Sequence, residues 1–314
     1  MPIRTTCFWI IAVFFMAFST GQAQSQQPNT RAKYDLQGPV HTMAETAYQA
    51  VMRNGRVRKG LRKRDIMFNF DVRVTFDRRG QIRKEAKYYS HNVLYGMSQF
   101  EYGPDGRVKK EVLYRPDGTP FETVIYRYDE QGRVAAKIHP GPEGEEVRKE
   151  TFQYDDRGRL IRKEWYERGR RYGREAYRYD AAGRLIETQT YNPALQLMSR
   201  EVRHYTPAGR PRRVERYQGR DHLFEWEGYH YDENGRPAAK TLYDQDSVRI
   251  RQWQYRYNKH GHLQEVIVRD ADDRVVERTR YEYVYDRHGN WTQRIEYRNG
   301  RPHLLVERKL TYYP

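Results

Sequence analysis

The sequence predicts an all-β protein, an antiparallel β-meander of tandem repeats of about 26 residues curled into an open sheet or partial shell. Three observations carry this. Glycine recurs at Gly80, Gly106, Gly132, Gly158, Gly183, Gly209, Gly235, Gly261 and Gly289, at intervals of 25 to 28 residues. The fourth residue before each is aromatic, from Phe76 and Tyr102 through Tyr257 and Tyr285. Between these marks the chain is rich in Tyr, Val, Ile and Thr and shows no long helical period.

Taken in order, residues 1–23 read as an export signal. Arg4 supplies the positive start, Phe8 to Phe18 an apolar run too short for a comfortable membrane span, and Gly21-Gln-Ala23 the small residues of a cleavage site. The only cysteine, Cys7, precedes that run, so the exported chain is expected to contain no thiol or disulfide. Residues 24–33 are expected to be a flexible mature amino terminus. Residues 34–75 read as amino-terminal strands with a basic loop at 53–64, and residues 76–314 as a nine-repeat sheet domain with no transmembrane span.

Within a repeat, Asp follows the aromatic residue in six copies and Arg follows the glycine in six, giving the unit Tyr-Asp-x-x-Gly-Arg. Asp starts a type I turn, glycine takes the left-handed position that closes it as a bulge, and Asp and Arg meet across the neck. A second turn falls at mid-repeat, as at Arg115-Pro-Asp-Gly118, Glu167-Arg-Gly169 and Arg298-Asn-Gly300. Each repeat therefore holds two strands. The fourth and sixth residues before glycine, such as Tyr126 and Tyr128, share a face, and the residue between them is often basic. The eighth residue after glycine is Tyr in seven copies, so one face is expected to be a pavement of tyrosines and the other charged.

The composition is unusual for a two-layer globule, with 28 Tyr but only 37% hydrophobic residues, Tyr included. About 18 strands exceed the ~10 that an open twisted sheet carries without curling or splitting. A membrane barrel is disfavoured because Arg107-Val-Lys-Lys-Glu111 and Arg168-Gly-Arg-Arg171 interrupt any lipid-facing band. The formal net charge is +16, and removing residues 1–23 takes away one Arg and no acid. In an exported protein this points away from nucleic acid and toward an anionic envelope polymer, lipid headgroups or an acidic protein partner. The densest basic segment, Arg53, Arg56, Arg58, Lys59, Arg62, Lys63 and Arg64, is the candidate for docking to an anionic surface.

The Tyr-Asp-x-x-Gly-Arg-Leu/Val units resemble the YD repeats of the bacterial RHS and YD-repeat families, and Tyr34-Asp-Leu-Gln-Gly-Pro-Val40 looks like the start of small exported members. The resemblance spans residues 34 to 313 and implies a β-shell, with carbohydrate binding or cell contact as the associated roles. The chain departs from large members in lacking an evident autocleavage segment or toxin domain. It implies export to the periplasm or the outside of a bacterial cell.

No constellation points to catalysis, a cofactor or a metal. Glu225-Trp226-Glu227 puts two carboxylates on one side of a strand, but neighbouring Arg and Lys account for both. His260-Gly-His262 lacks further ligands, and the mature serines have no nucleophile context. Two functions are expected. The first is a non-catalytic module that stacks a glycan on Tyr128, Tyr154, Tyr179 and Tyr231, with Arg127, Arg178 and Arg256 as charge partners. The second is a structural or protein-interaction scaffold whose tyrosine ladder is internal.

Overall fold

The computed structural model describes residues 30–62, 71–89 and 92–314. The expected export signal, residues 24–29 of the expected flexible segment, and Lys63 and Arg64 lie outside the described residues. Among the described residues twenty-one strands, from Val40–Arg53 to Arg301–Tyr312, form one antiparallel sheet in which consecutive strands from Asp71–Phe76 onward pair with one another. Nine successive hairpins turn at the recurring glycines, and each of these glycines sits in the left-handed region, with φ between 76° and 84°. At Tyr128 to Arg133 the turn is closed by Gly132 N–H donating to the Asp129 carbonyl and Asp129 N–H donating to the Arg133 carbonyl, both at 2.9 Å. An L side chain at such a φ costs about 1–2 kcal/mol, which explains why no other residue occupies this position.

The sheet is closed, which corrects the expectation of an open curl. The first strand is 14 residues long and lies between the ends of the meander. On one edge Met43, Glu45 and Ala47 face Leu310, Arg308 and Val306 of the last strand. On the other, Met43 and Glu45 face Val74 and Val72. Twenty strands thereby form a barrel, and neither end of the meander is left as a bare edge. The closure removes the aggregation hazard that an 18-strand open ribbon would carry. At about 4.8 Å per strand the wall measures about 96 Å across the strands, far more than in small barrels whose side chains fill the interior.

Aliphatic side chains are concentrated at this seam. Val40, Met43, Val74, Phe76, Ile82 and Phe100 form one buried cluster, and Trp291, Leu304 and Val306 another. The segment before the first strand packs onto the same seam. Arg31–Tyr34 is a 3-10 turn, Tyr34 lies edge-on to Phe76 at 6.4 Å, and Lys33 pairs with Glu85 at 2.5 Å. The described part of the segment expected to be flexible is thus an ordered strap.

The described part of the basic region, residues 53–62, is also corrected, because it is not a loop. Asn54 and Gly55, both at positive φ, make a two-residue hairpin turn between Val40–Arg53 and Arg56–Arg62. This second strand takes the same edge of the first strand that Asp71–Phe76 occupies further along.

A bulge changes the face pattern. Across each repeat turn, Tyr128 faces Val134 while Arg127 faces Ala136, so Ala135 is an extra residue. The alternation after glycine shifts by one, and the tyrosines eight residues on fall on the face opposite Tyr126 and Tyr128. The expected division into a tyrosine face and a charged face is therefore replaced by two mixed faces. The strap lies against the face carrying Phe76, and phenols there (Tyr126, Tyr177, Tyr229 and Tyr255) are pushed well above the usual range chiefly by burial. This is the inner face. Lys137, Glu150, Lys163, Arg216, Glu227 and Lys240 project inward, while Glu164, Arg174, Glu187, Arg200 and Glu215 project outward. Among the described residues neither surface offers the continuous apolar band of a lipid-spanning barrel. No helix among the described residues is long and apolar enough to cross a membrane.

Candidate functional site

The most regular chemistry lies at the rim formed by the repeat turns. The hydroxyl of the repeat tyrosine donates to the carbonyl two residues after the preceding glycine: Tyr128 to Val108 at 2.6 Å, Tyr154 to Val134 at 2.9 Å, Tyr179 to Leu160 at 2.8 Å and Tyr231 to Pro211 at 2.6 Å. That carbonyl sits at the bulge, where the ladder leaves it unpaired, so the phenol supplies the missing donor. The arginine of the preceding turn lies over the same ring. Arg133 is 4.6 Å from the centre of Tyr154, Arg159 is 4.8 Å from Tyr179 and Arg210 is 5.7 Å from Tyr231. Where the turn carries Asp, that arginine is also clamped to it, Arg133 to Asp129 at 2.7 Å and Arg159 to Asp155 at 2.6 Å. Each tyrosine thus joins two successive repeats through its hydroxyl and one ring face.

The electrostatics agree with the geometry. Burial pushes Tyr179 and Tyr231 up to about 12, against the lowering effect of Arg159 and Arg210. Asp155 loses some solvation, yet hydrogen bonds from Arg159 and its charge hold the carboxyl below the usual range. The phenols stay protonated donors and the carboxylates stay ionised throughout the physiological pH range.

The four tyrosines expected to stack on a sugar belong to this ladder. Arg127, Arg178 and Arg256 lie on the outer face, away from them. Arg178 reaches Glu187 at 2.6 Å and Arg256 reaches Glu265 at 3.2 Å, while Arg127 stands exposed opposite Ala136. The structure does not bring these arginines and tyrosines into one site.

A second array runs around the inner face. Lys137 lies over Tyr126 at 5.3 Å, Lys163 over Trp165 at 4.8 Å and Lys240 over Trp253 at 4.5 Å. Acidic residues interleave: Lys163 pairs with Glu150 at 2.9 Å and Lys240 with Glu227 at 3.0 Å. Both carboxylates of Glu225-Trp226-Glu227 are held by Arg216, at 2.9 and 3.1 Å. Burial works against ionising Glu227, but Arg216, Lys240 and the Tyr229 hydroxyl hold its carboxyl below the usual range, a salt-bridged anion rather than a poised acid. The sequence signal for this belt is a basic residue five places after glycine, at Lys137, Lys163, Lys240 and Arg294.

The histidine pair at 260 and 262 also has a packing role. His260 stacks on Tyr285 at 4.0 Å, and His262 contacts the Tyr285 hydroxyl at 2.8 Å and Asp35 of the strap at 3.0 Å. Asn290 also holds that strap, through Gln37, and nothing in the repeat pattern marked it. Among the described residues no group of His, Cys, Asp and Glu is arranged to hold a metal ion. At the basic hairpin, Arg53, Asn54, Arg56, Arg58 and Lys59 line a cleft of about 760 Å³.

A model of a family described as an uncharacterised protein matches residues 86–205. No curated protein matches the chain. Among solved structures, the chain is similar to a porin-like protein from Bacteroides uniformis, at 12% identity over 88% of this chain and 99% of that one, with a TM-score of 0.35. A porin-like protein from Bacteroides vulgatus is similar at 11% identity over 69% of this chain and 94% of that one, with a TM-score of 0.30. The Photorhabdus luminescens Tc holotoxin pore is similar at 12% identity over 76% of this chain but 19% of that one, with a TM-score of 0.23.

Proposed function

We propose that this protein is an exported, non-catalytic scaffold of the bacterial cell envelope, a barrel of YD-type repeats related to RHS shells. The observation that carries this reading is the use of the repeat tyrosines from Tyr102 to Tyr257 to join neighbouring repeats. The hydroxyl is spent on a bulge carbonyl and one ring face is covered by an arginine. A ligand-stacking column needs open ring faces, whereas a scaffold needs this ladder. The titratable groups support the same view, since Glu225 and Glu227 are consumed by Arg216.

Carbohydrate binding is the second reading, and the inner belt favours it. Tyr126, Phe152, Trp165 and Trp253 share the inner face with lysines and glutamates, a mixture of stacking and hydrogen-bonding groups suited to a sugar polymer. One experiment separates the two. Tyr128, Tyr154, Tyr179 and Tyr231 are changed together to Phe, which keeps the rings and removes the hydroxyls, and peptidoglycan co-sedimentation is measured beside thermal stability. The scaffold reading expects no sedimentation of either protein and a lower melting temperature for the variant. Saturable sedimentation of the unsubstituted chain would favour the carbohydrate reading.

A further inference from the structure

The basic hairpin carries a charge arrangement that the barrel does not use. Across its two strands Arg53 faces Arg56, Val51 faces Arg58 and Met52 faces Val57. Like charges set directly opposite one another destabilise a strand pair, and a neighbouring acid ordinarily relieves them. At the base of the hairpin this relief is present: Lys59 pairs with Glu307 at 2.5 Å, and Arg62 lies 3.7 Å from Asp71 and donates to Asn92 at 3.0 Å. At the tip it is absent. Among the described residues no carboxylate lies within ion-pair distance of Arg53, Arg56 or Arg58, and the 760 Å³ cleft they line with Asn54 and Lys59 contains no acid.

The alternation of the hairpin gives it two different surfaces. Arg53, Arg56 and Arg58 share one, and the Met52 and Val57 pair occupies the other. Met52 is 55% exposed and Leu61 76%, the largest exposure of any bulky apolar residue among those described. A soluble acidic polymer would be served by the cations alone. A hairpin that meets an anionic bilayer end-on brings both surfaces to the interface at once, so that phosphates meet arginine on one side and apolar side chains enter the headgroup region on the other.

We propose that the hairpin at residues 51–61 docks the barrel onto an anionic phospholipid surface, with Arg53, Arg56 and Arg58 taking headgroup phosphates and Met52 and Leu61 seated at the interface. Near an anionic membrane each such cation contributes a factor of about five to partitioning, so the three together contribute about 100-fold, and added salt weakens the effect.

The test uses the chain from Gln24 onward, which contains every described residue, in co-sedimentation with vesicles of phosphatidylcholine alone or mixed equally with phosphatidylglycerol. The triple variant R53Q/R56Q/R58Q is compared with R127Q/R178Q/R256Q, which removes the same charge from the barrel wall. The expected result is binding to mixed vesicles only, lost about 100-fold in the hairpin variant and no more than about threefold in the wall variant. M52S/L61S should weaken binding without altering its salt dependence. Removing repulsion at an exposed tip should leave the melting temperature of the hairpin variant no lower, which separates lost docking from lost folding. Equal losses in the two triple variants would overturn the proposal, as would no binding to mixed vesicles, or capture of polygalacturonate without vesicle binding.

Discussion

The side chain of Asn290 grips Gln37 from both sides: its Oδ1 accepts the Gln37 N–H at 2.6 Å and its Nδ2 donates to the Gln37 carbonyl at 2.9 Å. The two residues are 253 positions apart, and Asn290 is only 2% exposed. A backbone amide that has no strand partner is thereby satisfied by a side-chain amide, which holds the strap inside the rim just ahead of the closing strand. Tyr312 of the last strand accepts a further hydrogen bond from the same Nδ2 at 2.9 Å, so one residue ties the strap, the ninth repeat turn and the last strand together.

Asn290→Ala leaves the Gln37 N–H and carbonyl without these partners. The expected loss is about 2–4 kcal/mol, read as a lower urea midpoint. Amide exchange should rise first at residues 36–40 and in the last strand, not in the middle repeats. A uniform rise across the barrel would contradict this placement of the anchor.

Tyr231→Phe removes the donor to the Pro211 carbonyl and keeps the ring under Arg210. A cost of about 1 kcal/mol is expected, against about 2–3 kcal/mol for Tyr231→Ala, which also loses the packing. Equal stability of the Phe variant and the parent would show the hydroxyl to be dispensable.

Gly158→Ala forces an L residue to φ +78°, where only ordinary contact distances surround the new methyl, the nearest atom being Arg133 Nη1 at 3.6 Å. The cost should therefore be the backbone term alone, about 1–2 kcal/mol. Gly158→Asn, which tolerates the left-handed region, should recover part of it in the same denaturation measurement.

Alkaline pH should unfold the barrel through its phenols. Burial raises Tyr179 and Tyr231 to about 12, above the unfolded value near 10, so their contribution is complete below pH 10 and is lost as pH rises toward 12. The share of phenolate absorbance that is missing when Tyr179 and Tyr231 are changed to Phe should rise together with loss of β-sheet circular dichroism. On the acid side, Asp155 and Glu227 are held below their ordinary values, so their contribution is complete above those values and is lost as pH falls through the depressed ones. Phenolate formation at Tyr179 or Tyr231 themselves near pH 10 in an intact barrel would contradict the ladder.

Much of the architecture was legible because one module is copied nine times: the positive-φ glycine leaves the same trace in every copy, and the Asp–Arg clamp recurs in four of them, as at Asp129, Gly132 and Arg133. Closure left no such trace. Val40–Arg53 reads as a strand, but which strands it joins is decided by pairing across 269 positions, as at Thr42 and Thr311. The assignment of faces failed for a local reason. The extra residue at each bulge, such as Ala135, reverses the alternation, so counting by twos from glycine places Tyr166 and Tyr217 on the wrong side. The rim tyrosines were marked by their periodicity, but that periodicity reports the demand of the bulge carbonyl for a donor, and a repeating structural demand looks the same in sequence as a repeating binding site.

Closure is tested most directly by a cross-link across the seam. Thr42 and Thr311 are cross-strand partners with hydroxyls 2.7 Å apart, and the chain from Gln24 onward contains no cysteine. In T42C/T311C, mild oxidation should give a disulfide within a single chain in high yield, seen as faster migration on non-reducing gels and confirmed by mass spectrometry of the linked peptides. Persistence of free thiols, or linkage only between chains, would mean that the first and last strands do not meet and that the barrel is open.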